Sequence, residues 1–109
     1  VRSKSESMIV YLLHDYKIPF RYESELELGQ VTVYPDFTIR HPKTGKVFLW
    51  EHLGMMGDPT YRRNALSKLQ LYMEHGWVPS VNLILTYETK ECPLDMAYVE
   101  GLIKEYFVK

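Results

Sequence analysis

The sequence predicts a single α/β domain over residues 1–109, with its elements in the order α-β-β-β-α-β-α. Apolar residues recur at helical spacing in three segments, whereas in four shorter segments they alternate or run on continuously. Turn residues separate these segments, and no repeat or low-complexity stretch interrupts them. A chain of 109 residues is long enough for one such domain and too short for two.

The N-terminal half is predicted to be one helix followed by three strands. The helix extends from about residue 5 to residue 16, where Ile9, Leu13 and Tyr16 repeat at helical spacing. Ser3 or Ser5 can cap it, and the proline at position 19 disfavours helical geometry in the residue before it. The strands are predicted over residues 20–28, 31–40 and 46–53, with turns at Gly29-Gln30 and Lys43-Thr44-Gly45 between them.

The C-terminal half is predicted to be a helix, a strand and a last helix. Asp58 and Pro59 begin the first of these helices as its cap and first turn, and Gly76 ends it after about residue 74. The short apolar run over residues 81–87 predicts a fourth strand at the centre of the sheet. The last helix, over residues 95–107, is predicted to bury Met96, Val99, Leu102, Ile103 and Tyr106.

The composition limits the class of protein and its partners. The formal net charge is -1, so binding to nucleic acid would depend on a local basic surface. The single cysteine, Cys92, excludes an internal disulfide framework and favours a reducing cytoplasm. No apolar run approaches the roughly 20 residues of a membrane helix, and the polar first residues show no signal peptide. The first residue, Val1, is consistent with a trimmed chain or with part of a longer polypeptide.

Two acidic residues stand in strand-like apolar segments. Asp36 directly follows a proline in the second predicted strand, and Glu51 ends the apolar run 47–50. Because a turn joins the two segments, they can pair as a hairpin that brings the two carboxylates together. Adjacent carboxylates repel each other unless a cation lies between them, and a divalent metal is the usual solution. The alternative is that each acid faces solvent at the edge or end of its strand.

Glu6 and Lys68 lie at the margins of two predicted buried helix faces. Glu6 shares a side with Leu13, although a first-turn acid that only stabilises the helix dipole is an equal alternative. Lys68 shares a side with Tyr61 and Tyr72, and its alternative is a lysine whose stem covers apolar surface. In a site with three acids, its ammonium could orient a water or stabilise charge on a phosphate.

The histidines do not show the spacing of a zinc site. His52 follows Glu51 and is expected to point to the opposite side of the strand, as a packed and hydrogen-bonded core residue. The other three, His14, His41 and His75, are predicted to lie on the surface.

The order of Glu6, Pro35-Asp36 and Glu51 resembles the pattern of the PD-(D/E)XK nuclease superfamily. That pattern has a helix with a Glu, a three-stranded antiparallel meander with the Asp and the (D/E)XK signature, a helix and a further strand. The resemblance covers nearly all 109 residues. It implies a restriction-endonuclease-like core, in which helices flank a central mixed four-stranded sheet.

One position departs from the family pattern. Leu53 stands where the signature lysine is expected, two residues after Glu51. In some members of the superfamily the lysine looks as if it has migrated to the following helix, and Lys68 fits this variation. The stretch from Trp50 to Tyr72 looks like a nuclease-like module of bacterial proteins that is sometimes attached to helicase-like regions. If neither Lys68 nor His52 reaches the site, an inactive nuclease-like module that binds nucleic acid or supports assembly is the alternative.

The resemblance implies a Mg²⁺-dependent nuclease acting on nucleic acid, with DNA as the expected substrate and Mn²⁺ as a substitute metal. A plain structural domain is the remaining alternative. A homodimer is a further implied assembly. The implied catalytic residues are Glu6, Asp36, Glu51 and Lys68; the metal ligands are Asp36, Glu51 and the His52 backbone carbonyl. The implied nucleic-acid contacts are Arg62, Arg63 and Lys4, with Arg2, and the supporting residues are Tyr61 and Tyr72.

Overall fold

A mixed four-stranded sheet lies at the centre of the computed structural model, which describes residues 3–109. The helices are α1 (Lys4–Asp15), α2 (Pro59–Glu74) and α3 (Met96–Ile103), which continues as a π-helical turn (Lys104–Val108). The strands are β1 (Phe20–Tyr22), β2 (Leu26–Leu28), β3 (Val31–Val33), β4 (Phe37–Arg40), β5 (Val47–Leu53) and β6 (Leu83–Tyr87). The main sheet has the order β1-β4-β5-β6, with only the β5–β6 pair parallel. The predicted α/β class and mixed four-stranded sheet are confirmed.

The strands predicted over residues 20–28 and 31–40 are each broken into two, which corrects the predicted element order. One half of each pairs within the main sheet (β1 with β4), and the other halves form a separate two-stranded sheet (β2 with β3). The break follows from Glu23, which has a φ of 50°, and from Pro35, which has no N–H for a ladder. Asp36 therefore lies in the bend before β4 and not in the middle of a strand.

The strand β6 lies at an edge of the described sheet and not at its centre, contrary to the prediction. It pairs with β5, and its first two side chains, Leu83 and Ile84, are buried because helices cover both faces of the strand there. Leu83 packs in a cluster with Tyr72 of α2, and Ile84 packs in a cluster with residues of α1 and α3. An apolar run therefore indicates burial of both strand faces, but it does not indicate how many strands lie alongside.

The helices form two layers around the sheet. The helices α1 and α3 share one core with Phe37, Phe48 and Trp50, while Tyr72 of α2 packs on Leu49 on the opposite face. Within residues 3–109, no helix combines the length and the apolar composition needed to cross a membrane.

The last helix buries a set of residues that differs in part from the predicted one. Val99 and Ile103 are buried as predicted, but Met96 is 42% exposed and Phe107 is buried in place of Tyr106. Met96 lies exposed in the first turn, directly after the cap Asp95. At the other end, the π-helical turn has wider spacing than an α-helix, which changes the residue that faces the core.

The helix ends follow the predicted capping signals. Ser3 accepts a hydrogen bond from the Glu6 N–H and caps α1. Asp58 caps α2, Pro59 is its first residue, and Gly76 follows its end with a φ of 88°. These signals fix where α1 and α2 begin, and therefore which of their side chains face the sheet.

Candidate functional site

Asp36 and Glu51 lie opposite each other at the end of the β4–β5 ladder. The last paired residues are Phe37 and Trp50, so the next position brings Asp36 to Glu51. The Asp36 N–H donates to Glu51 Oε2 at 3.0 Å, and the His52 N–H donates to Asp36 Oδ2 at 2.8 Å. Each carboxylate thus accepts a hydrogen bond from the backbone of the segment that carries the other acid. The hairpin brings together the two acids that the sequence singles out.

The Glu51 carboxylate is buried and accepts hydrogen bonds from three groups. Its side chain is 4% exposed. Its Oε1 accepts from Lys68 Nζ at 2.9 Å, and its Oε2 accepts from the Tyr72 hydroxyl at 2.9 Å as well as from the Asp36 N–H. Hydrogen bonds and a cationic partner offset the cost of burying a carboxylate. Lys68 therefore enters the site, as its helix position predicts.

Asp36 is less well compensated than Glu51. Burial, followed by the charge of Glu51, raises the pKa of Asp36 from 3.8 to about 7, although the His52 N–H acts in the opposite direction. Burial and Glu51 also raise the pKa of the Tyr72 hydroxyl, which therefore stays protonated and donates. The site holds more negative charge than its own cation neutralises, so a further cation would favour the ionised form of Asp36.

Glu6 caps the start of α1, as a first-turn acid is expected to do, and it also lies beside the two acids. Its Oε1 accepts from the Ser3 N–H at 3.2 Å and completes a capping box at the start of α1. The same oxygen accepts from the Tyr22 hydroxyl at 2.8 Å. The carboxylate also lines the site and contributes to raising the pKa of Asp36. Sequence reasoning did not find Tyr22, since its partner lies on a separate element.

One pocket contains all four predicted catalytic side chains. It has a volume of about 260 Å³, and its lining residues are Glu6, Asp36, Glu51, His52, Leu53, Tyr61, Asn64, Ala65 and Lys68. Leu53 is 7% exposed and adds no charge to this pocket. Asn64, which the sequence interpretation left out, precedes Lys68 by one helical turn and is detectable only by that spacing.

The connection from β5 to α2 is held by Tyr61. Its hydroxyl accepts from the Gly54 N–H at 3.1 Å, so it contacts backbone rather than either acid. Burial raises the pKa of Tyr61, which keeps the hydroxyl neutral. Tyr72, by contrast, contacts Glu51 directly. The two tyrosines that were predicted to support the site therefore act at different places.

His52 carries its imidazole away from the acids, into a polar network on the opposite sheet face. Its Nδ1 lies 2.8 Å from Thr86 Oγ1, and its Nε2 lies 2.7 Å from Glu88 Oε1. The Thr86 hydroxyl also accepts from Trp50 Nε1 at 3.1 Å, so its own hydrogen is available for His52 Nδ1. This assigns the Nε2–H of His52 as the donor to Glu88. The imidazole is a packed core group, as the strand alternation predicts.

Glu88 connects three elements and was missed from the sequence. Its carboxylate accepts from the Ser5 hydroxyl of α1, from His52 of β5 and from the Leu94 N–H. Burial acts to raise the pKa of Glu88, but the hydrogen bonds from Ser5 and His52 outweigh burial and lower it. Its sequence signal is weak: an acid directly after an apolar strand.

The remaining histidines lie away from the acids. His14 and His75 are exposed as predicted, whereas the prediction for His41 is wrong, because His41 is buried. Its Nδ1 accepts from the Lys43 and Thr44 N–H groups and closes the turn after β4. Within residues 3–109, no group of three or more His, Cys, Asp or Glu side chains is assembled as a metal site.

The predicted nucleic-acid contacts Arg62, Arg63 and Lys4 are exposed. Arg62 Nη1 also donates to the Met56 carbonyl at 2.9 Å, which orients it against the loop before α2. Arg2 lies outside the described residues. The exposed cations are therefore available to solvent close to the starts of α1 and α2.

A segment of 78 residues, 71% of this chain, is 33% identical to the uncharacterized protein MJ1519 of Methanocaldococcus jannaschii. The chain spans 6% of the length of that relative and is thus similar to a small part of a much longer protein. No family model matches the chain, and no solved structure matches it.

Proposed function

We propose that this domain is a metal-dependent nuclease that hydrolyses phosphodiester bonds of nucleic acid, with DNA as the expected substrate and a restriction-endonuclease-like core. The observation that carries the proposal is the contact of 2.9 Å between Lys68 Nζ and Glu51 Oε1, beside Asp36. A cation and two carboxylates thus line one pocket, although Leu53 occupies the signature position. This combination is suited to a reaction in which negative charge develops on phosphate oxygens.

The donor groups fit a hard divalent ion. Asp36 and Glu51 would hold Mg²⁺, or Mn²⁺ as a substitute, with the His52 backbone carbonyl, and Glu6 would contribute directly or through water. Burial and then the charge of the adjacent Glu51 raise the pKa of Asp36, and a bound cation would offset both effects by favouring the ionised carboxylate. Magnesium in proteins commonly uses only one or two carboxylates and keeps several waters. When bound, such an ion lowers the pKa of its water and stabilises negative charge on the attacked phosphate.

The remaining side chains of the pocket and the exposed cations near it would have separate roles in the reaction. Tyr72 and the Asp36 N–H fix the orientation of the Glu51 carboxylate. The Lys68 ammonium would orient the attacking water or neutralise a phosphate oxygen. The exposed Arg62, Arg63 and Lys4 would contact the nucleic-acid backbone, which supplies affinity without sequence preference.

A catalytically inactive module that binds nucleic acid or supports assembly is the second candidate. The observation that favours it is Leu53, a buried apolar side chain at the signature lysine position. This candidate keeps the basic surface but assigns the acids a structural role. Attachment to a helicase-like region, or a homodimer, is compatible with either candidate.

A cleavage assay with acid variants separates the two candidates. Single-stranded, double-stranded and branched DNA, together with RNA, are incubated with the purified protein and Mg²⁺ or Mn²⁺. We expect cleavage that Asp36→Ala and Glu51→Ala abolish and that Glu27→Ala, an exposed acid on β2, leaves intact. If the wild-type protein leaves every substrate intact with both metals, the nuclease proposal fails.

A further inference from the structure

The position of Lys68 has a consequence for metal binding itself. Its ammonium lies 2.9 Å from Glu51 Oε1, on the oxygen that neither Tyr72 nor the Asp36 N–H engages. An ion that Glu51 binds through Oε1 would therefore meet the ammonium at close range. An ammonium and a divalent ion at the same carboxylate oxygen repel each other, and this repulsion opposes binding of the ion while the ammonium stays in place.

The other two partners of Glu51 cannot move aside as easily. The Tyr72 side chain is completely buried, and the Asp36 N–H belongs to the backbone at the end of the ladder. Lys68, in contrast, is 36% exposed at its side chain and has a flexible stem. Its Nζ also lies 5.8 Å from the Tyr72 ring centroid, a distance at which a cation is still attracted to the ring face.

We infer that Lys68 is a substitute cation, which neutralises Glu51 in the metal-free domain and which a divalent ion must displace. Displacement frees the ammonium for a phosphate oxygen, so the same event that loads the metal also makes the lysine available to substrate. This inference rests on the metal site of the proposed function. Lys68 would then lower the affinity of the site for metal, in addition to its proposed action on the phosphate.

The inference predicts opposite effects of one substitution on two quantities. Removal of the ammonium leaves Glu51 without its counter-ion, so the metal-free protein should become less stable. The same removal eliminates the competitor for Oε1, so metal affinity should rise. A lysine that acts only on substrate would change neither the affinity for metal nor the stability gained from it.

The test measures Mn²⁺ alone, without nucleic acid. Electron paramagnetic resonance of free Mn²⁺ gives its affinity for the wild-type protein, Lys68→Met, Lys68→Arg and Lys104→Met. Lys104 is exposed, so its loss controls for the change in net charge. We expect Lys68→Met to bind Mn²⁺ about tenfold more tightly, because the ion then has no ammonium to displace from Glu51 Oε1. Lys68→Arg and Lys104→Met should bind like the wild type.

Thermal unfolding with EDTA and with Mn²⁺ gives an independent measurement. In EDTA, we expect Lys68→Met to unfold at a lower temperature than the wild type. We expect Mn²⁺ to raise the unfolding temperature of Lys68→Met by more than it raises that of the wild type. If Lys68→Met does not fold, Lys68→Gln keeps a hydrogen-bond donor to Glu51 without the charge and should show the same change. Equal or weaker Mn²⁺ binding by the folded Lys68 variant overturns the inference.

DNA cleavage, measured separately, distinguishes this inference from the proposed function. Wild-type cleavage together with an unchanged Mn²⁺ affinity in Lys68→Met would leave the nuclease proposal intact and refute the substitute cation. Tighter Mn²⁺ binding by Lys68→Met in a protein that cleaves no nucleic acid would support the substitute cation and refute the nuclease proposal.

Discussion

The backbone N–H of Asp36 donates to the side chain of Glu51 at 3.0 Å, across the last position of the β4–β5 ladder. Asp36 lies in the bend directly after Pro35, and its N–H bonds a side chain instead of a strand backbone. The irregular backbone thus provides a donor to one acid and brings the other acid beside it. The bend before β4 is therefore a part of the site.

Neutralising Asp36 should stabilise the metal-free protein at high pH. Its pKa is raised from 3.8 to about 7, so the folded state keeps a proton that the unfolded state releases between these values. Stability is therefore lost as the pH rises from about 4 to about 7, by up to roughly 4 kcal/mol. Asp36→Asn keeps an acceptor for the His52 N–H and avoids this loss. In EDTA, we expect Asp36→Asn to unfold at a clearly higher temperature than the wild type at pH 8 and at a similar one at pH 4. A difference that does not change with pH would contradict the assignment.

Tyr72→Phe should remove one hydrogen bond to Glu51 while preserving the packing of the core. The ring is completely buried and stays in place, but the hydroxyl that donates to Glu51 Oε2 at 2.9 Å is lost. We expect a loss of about 1–3 kcal/mol in the free energy of unfolding, measured by urea denaturation, because the hydrogen bond is to a buried charged group. Tyr98→Phe, which removes a hydroxyl from a tyrosine that is 56% exposed, should change stability little. Equal stability of the two variants would show that the hydroxyl does not hold Glu51.

Glu88 should contribute to stability without contributing to metal binding. Its carboxylate connects α1 to His52 on the sheet face opposite to the acids. We expect Glu88→Ala to lower the free energy of unfolding by about 1–3 kcal/mol, since it leaves buried donors unpaired. Its Mn²⁺ affinity should stay at the wild-type value, and Glu91→Ala, an exposed acid nearby in sequence, should change neither quantity. Weaker Mn²⁺ binding by Glu88→Ala would place this carboxylate in the metal site.

Arg62 and Arg63 should supply affinity for nucleic acid that depends on salt. Both are exposed at the start of α2, next to the residues of the site. We expect the double alanine variant to bind fluorescent DNA more weakly in Ca²⁺ and to reduce the slope of log affinity against log salt by about one to two. The matched control replaces Lys43 and Lys46, two exposed lysines at the β4–β5 turn, at the other end of that hairpin. If the control variant lowers the DNA affinity by more than the double arginine variant does, the binding surface lies at that turn instead.

The positions of the helices and the principal acids could be predicted from local signals. Asp58, Pro59 and Gly76 mark the ends of α2 because each has a conformational preference that does not depend on distant residues. A local signal also identifies Asp36 and Glu51, since each carboxylate stands next to apolar residues, where its burial is costly without a partner.

Other features depend on contacts between segments far apart in the chain. The edge position of β6, the burial of His41 and the three partners of Glu88 each require knowledge of which elements are neighbours. A sequence pattern records whether a residue is buried, but burial by a helix and burial by a strand have the same pattern.

The sequence by itself determined the α/β class, the helix caps and the presence of acids that need a partner. The tertiary structure decided that the partner in the metal-free protein is Lys68, at 2.9 Å from Glu51, and that Asp36 lies in a bend. The physical reason is the distance along the chain over which each interaction acts. Caps and periodicity act within a few residues, whereas the charge balance of a buried carboxylate is set by groups that only folding brings together.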